Sequence, residues 1–78
     1  MRDMFLCFLN AYEDLIDCLH WVDSLSDKKW KCLISCTDDA RTCMSDLCEA
    51  DDLDCLNNCL AVLMDCYKSC GYTPPSVP

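Results

Sequence analysis

Residues 55–70 read CLNNCLAVLMDCYKSC, with cysteines at 55, 59, 66 and 70. A helix turns about 100° per residue, so these four positions lie within about 60° of one another. One helix would carry four thiols in a single line. The same offsets recur upstream. Cys32, Cys36 and Cys43 repeat the first three positions, and Cys7 and Cys18 stand eleven residues apart. The fold follows from asking what these stripes face.

The chain has 78 residues, ten of them cysteine and only one glycine. A core this small needs reinforcement. An even cysteine count at this density predicts a disulfide scaffold in an oxidising compartment: extracellular, secretory or an intermembrane space. One glycine is too few for a loop-rich fold, whereas helices joined by short turns suit it. No secretory leader is visible, because Asp3, Glu13 and Asp14 interrupt the N-terminal apolar run. An oxidising address then implies a leader already removed, and a cytosolic one would undo the disulfide reading. No run approaches transmembrane length, so no membrane insertion is expected. The net charge of −8 argues against nucleic acid, whose phosphates require a basic face. It also disfavours anionic membrane surfaces.

Hydrophobic periodicity predicts helices over about residues 3–22, 27–47 and 52–69. Asp3, Ser26 (or Ser24) and Asp51 are the expected N-caps. Gly71 stands where a left-handed C-cap belongs, and Pro74 and Pro75 prevent continuation. The prediction is an all-α, disulfide-stapled, up-down-up three-helix bundle. It forms a single domain over 1–71 with an extended tail over 72–78. The first helix is apolar over an unusually wide arc, which marks it as central in the fold or buried in an interface.

Antiparallel neighbours pair positions whose numbers add to a constant. Cys32 with Cys70, Cys36 with Cys66, and Cys43 with Cys59 each add to 102, and Cys48 with Cys55 adds to 103. This nested ladder leaves Cys7 and Cys18, which lie roughly 16 Å apart along one helix. A disulfide needs Cα atoms within about 7 Å, so those two cannot pair with each other. Three resolutions stand open. Cys7 bonds Cys18 of a second copy in an isologous dimer through the first helix. Alternatively the register shifts, giving 7–48, 18–70, 32–66, 36–59 and 43–55. In the third, Cys7 and Cys18 stay reduced.

Nothing in the sequence predicts an enzyme. His20 is the only histidine and belongs to no nucleophile motif. The acidic run Asp46, Glu49, Asp51, Asp52 and Asp54 lacks the glycine and ligand spacing of a calcium loop. It reads as helix capping and solubility. Lys28, Lys29, Trp30 and Lys31 form the one basic cluster, and a tryptophan among cations suits a protein-binding surface. Tyr67 and Tyr72, at the exit of the third helix, form a second candidate surface.

Several resemblances bear on function. Cys66-Tyr67-Lys68-Ser69-Cys70 followed by Pro74-Pro75 resembles the C-termini of ciliate mating pheromones, which are acidic, disulfide-stapled helical bundles. The nested hairpin ladder resembles saposin-like and hairpin helical venom peptides. Both imply a secreted ligand for a cell-surface receptor, a channel or its own kind, with no cofactor. A cysteine-lined bundle also resembles the bacterial copper-storage proteins. That likeness implies Cu(I) held by thiolates, with Met4, Met44, Met64 and His20 as auxiliary ligands. Cys32/Cys36 and Cys66/Cys70 resemble the twin Cys-x3-Cys motifs of the small mitochondrial Tim chaperones. Here 29 residues intervene and six further cysteines are foreign to that pattern. The primary expectation is the pheromone- or toxin-like ligand, with no metal site.

Overall fold

Ser26 begins the central helix. Its hydroxyl accepts the Lys29 backbone N–H at 3.2 Å, which satisfies a donor the first turn would otherwise leave orphaned. The computed structural model describes residues 1–73. It contains α1 (Arg2–Trp21), α2 (Asp27–Thr42), a π-helical turn (Cys43–Leu47) and α3 (Leu53–Ser69). Helix α1 lies chiefly against α2, and α2 pairs with α3. The three form a bundle 38 × 21 × 20 Å in extent. No described helix is long and apolar enough to cross a membrane. The extended tail expected over 72–78, with Pro74 and Pro75, falls from 74 onward outside the described residues.

The core is one cluster drawn from all three helices. Phe5, Leu9, Tyr12 and Ile16 come from α1, and Leu33, Cys36 and Ala40 from α2. Leu56, Cys59, Leu63 and Tyr67 come from α3, with Met44 from the π turn and Cys48 just beyond it. Within each helix these positions recur every three or four residues, the spacing that keeps one face inward.

Four disulfides join the α2 side of the hairpin to α3: Cys32–Cys70, Cys36–Cys66, Cys43–Cys59 and Cys48–Cys55. Their Cα separations are 5.9, 5.8, 5.9 and 5.6 Å. The nested register is therefore the one formed, and the shifted register is not. Cys7 and Cys18 are free and exposed.

The second helix does not remain α-helical to Leu47, as expected. Its last turn is π-helical, and the cysteine spacing gives the reason. Five residues separate Cys43 from Cys48, but four separate Cys55 from Cys59. A π turn takes up one extra residue, so both rungs face α3. The step from 102 to 103 in the paired positions is the sequence trace of that insertion. Leu47, expected on the apolar side, is 76% exposed.

Three expected end positions are corrected. Helix α1 starts at Arg2 with no side-chain cap. Asp3 is not needed, because the Arg2 N–H donates to the Ala50 carbonyl at 2.9 Å. Asp52 rather than Asp51 caps α3, accepting from Cys55 N–H at 3.1 Å. Ser24 forms no capping box; its N–H closes the end of α1 on Leu19 O at 2.8 Å. That closure places Asp23 at φ 63°, a left-handed cap usually given to glycine. Helix α3 ends the same way on Gly71, φ 81°, with Tyr72 N–H on Tyr67 O at 3.0 Å.

Candidate functional site

Two surfaces were expected to carry recognition, the Lys28–Lys31 cluster and the pair Tyr67 and Tyr72. The first turn of α2 places Lys28 and Lys31 in solvent, while Lys29 and Trp30 are half-buried. Trp30 faces back toward α1. Its ring stacks on His20 with centroids 4.4 Å apart and planes 12° from parallel. Its indole Nε1–H donates to Asp17 Oδ1 at 2.9 Å.

His20 completes a chain of contacts. Its Nε2–H donates to Asp27 Oδ1 at 2.7 Å, since a carboxylate only accepts. That hydrogen bond, with the attraction of the ring, holds the Asp27 carboxyl below its ordinary range. Asp17, His20, Asp27 and Trp30 thus tie the end of α1 to the start of α2. Trp30 works as a tie between helices, which leaves Lys28 and Lys31 as the exposed part of the cluster.

Tyr67 requires a correction, because it is fully buried and not a contact surface. Position 67 lies on the stripe of Leu56, Cys59 and Leu63, one face of α3. Its phenol meets the Thr37 hydroxyl. Thr37 gives its own proton to Leu33 O at 3.0 Å, so the Tyr67 O–H is the donor between them. Burial raises the Tyr67 pKa. Tyr12 and Tyr72 meet the Tyr67 ring edge-on, with centroids at 6.3 and 5.9 Å. Tyr72 is half-buried by this contact.

The ladder sulfurs group closely. Sγ atoms of Cys32, Cys36 and Cys70 lie within 4.8 Å of one another, as do those of Cys48, Cys55 and Cys59. All six belong to disulfides. In this state they offer no thiolate, and soft-metal binding would first require reduction of the rungs.

Apolar residues are exposed on α1, where its wide arc predicts an interface, and also on the hairpin, where no surface was expected. Trp21 is 84% exposed, and Met4, Val22, Leu53 and Val62 are also in solvent. Leu47 and Val62 line an open groove at the turn end of the hairpin, with Asp52, Asp54 and Asn58 on its rim. One signal was present in the sequence. The apolar arc of α1 is too wide for one helix to bury against a two-helix hairpin.

Comparison with protein families, curated proteins and solved structures found no match.

Proposed function

We propose that this chain is a secreted, disulfide-stabilised recognition protein that works by binding a cell-surface receptor or channel, without catalysis. The observation that carries this reading is the set of four rungs that runs the length of the hairpin, from Cys32–Cys70 to Cys48–Cys55. Cross-links along that length preset the positions of side chains on both helices. A preset surface loses little conformational freedom on binding, which is how a small ligand gains affinity. The disulfides also favour an oxidising, extracellular address. Lys28 and Lys31 supply the basic edge of the binding face on an otherwise acidic molecule.

Saturable binding of labelled, oxidised protein to intact cells of its own organism tests the reading. The expectation is binding that excess unlabelled protein competes away. Reduction with thiol alkylation should abolish it, and Lys28→Ala with Lys31→Ala should weaken it. Equal binding by native and reduced, alkylated protein would contradict the proposal.

The chaperone-like alternative draws on one observation, the nested pairing of Cys32 and Cys36 with Cys70 and Cys66.

A further inference from the structure

Helix α1 has two faces. Phe5, Leu9, Tyr12 and Ile16 point into the core. On the opposite side, Met4, Cys7, Ala11, Asp14, Cys18 and Trp21 are all exposed. At about 100° per residue these six fall within an arc of about 100°. They form a continuous stripe, five of six uncharged, along the whole helix.

The stripe reads symmetrically. Met4 with Trp21, Cys7 with Cys18, and Ala11 with Asp14 each add to 25. Two copies laid antiparallel about an axis between positions 12 and 13 therefore match along the full stripe. We propose that α1 pairs in this way with α1 of a second copy, and that Cys7 of each chain bonds Cys18 of the other. This goes beyond the receptor-binding reading and does not depend on it.

Four observations support a second copy as the occupant. The hairpin ladder closes without Cys7 and Cys18, and both remain exposed. They are too far apart on one helix to bond each other. Antiparallel helices at disulfide distance are already built in this chain, with Cα separations of 5.6 to 5.9 Å across the α2/α3 hairpin. Ala11 lies beside the proposed axis, where a small side chain lets two helices approach.

Charge selects the orientation. Antiparallel pairing sets Asp14 opposite Ala11, Asp3 opposite Val22 and Asp17 opposite Phe8. Its one close like-charged pair within the stripe is Asp14 with Asp14 of the second copy, about 4.5 Å apart along the axis. Parallel pairing would set Asp3 and Asp14 each against its own copy. A single helix pair about 30 Å long buries less than a standard stable interface. The covalent bridges make up the difference.

Each bridge joins two thiols, which lose two protons and two electrons as the S–S bond forms. The oxidant is a small-molecule or protein disulfide, reduced in turn to two thiols.

The test uses the whole chain in oxidised-glutathione buffer, read by intact mass and peptide mapping. The expected result is twice the 8.9 kDa chain mass, collapsing on reduction, with Cys7 peptides linked to Cys18 peptides. Cys7→Ser alone and Cys18→Ser alone should each stay monomeric. Their mixture should give a heterodimer with one bridge. Both positions are exposed, so the variants keep their helical circular dichroism. Ala11→Arg should lower the dimer yield at least tenfold. A monomer with two alkylatable thiols would overturn the proposal. So would dimers of either single variant, which signal parallel pairing through like cysteines.

Discussion

The α2/α3 hairpin and α1 are held by different means. The hairpin carries four disulfides along its length. Helix α1 has none, and depends on four buried side chains and a few polar ties. Arg41 reaches Glu13 at 2.8 Å and Asn10 at 3.1 Å. Arg2 reaches Cys48 O at 3.3 Å, and Trp30 reaches Asp17. Cross-links act chiefly on the unfolded chain, whereas packing acts on the folded one. The contrast teaches that one small bundle divides into a covalent frame and a helix docked on it. The docked helix is also the one with spare cysteines and a spare apolar stripe.

Breaking the docking should have the largest effect. Ile16 is fully buried in the contact with the hairpin. Ile16→Ala should cost about 2 to 5 kcal/mol, read by denaturant unfolding of the oxidised protein. Hydrogen exchange in that variant should rise across α1 while α2 and α3 stay protected.

Cutting the frame comes next. Replacing Cys36 and Cys66 together with Ala should cost about 2 to 4 kcal/mol. The loss should lie toward the lower value, because the flanking rungs still hold the helices together. Here exchange should rise along α2 and α3, the reverse of the Ile16→Ala pattern.

The two helix ends give a finer comparison. Both α1 and α3 close on a residue with positive φ, Asp23 and Gly71. Gly71→Ala should destabilise by about 1 kcal/mol, since the new Cβ meets a strained backbone and sits 3.4 Å from Lys29 Cε. Asp23→Gly should do the opposite by a similar or smaller amount. Thermal unfolding of the two variants checks the sign at each end.

The smallest effect is that of pH on the tie between α1 and α2. The hydrogen bond from His20 lowers the Asp27 pKa in the folded chain. A depressed carboxyl contributes stability above its unfolded value, near 4. That contribution is lost as pH falls through the folded one. The midpoint difference between the native protein and Asp27→Asn should therefore shrink as pH falls below about 4.

These contrasts also explain what could be read from the sequence. The sequence narrows the ladder to a nested or a shifted register, because a disulfide is a distance constraint and antiparallel pairing turns it into arithmetic. The packing of the folded chain selects the nested one. Even the π turn left a mark, the one-unit step at Cys48–Cys55. The position of Tyr67 at the exit of α3 suggests a surface, but its stripe with Leu56, Cys59 and Leu63 places it inside. Its proton finds Thr37, thirty positions away, and no local pattern encodes that partner. Trp30 was read as a binding residue, yet it holds α1 through His20 and Asp17, again contacts between helices. The left-handed cap at Asp23 was hidden because aspartate is also an ordinary helix-flanking residue.

The central claim is that the frame closes without α1. Peptide mapping of the native, non-reduced protein by tandem mass spectrometry tests it most directly. The prediction is four linkages, 32–70, 36–66, 43–59 and 48–55, with neither Cys7 nor Cys18 bonded to any of those eight cysteines. A Cys7–Cys48 or Cys18–Cys70 peptide would contradict it, because either would place α1 inside the frame.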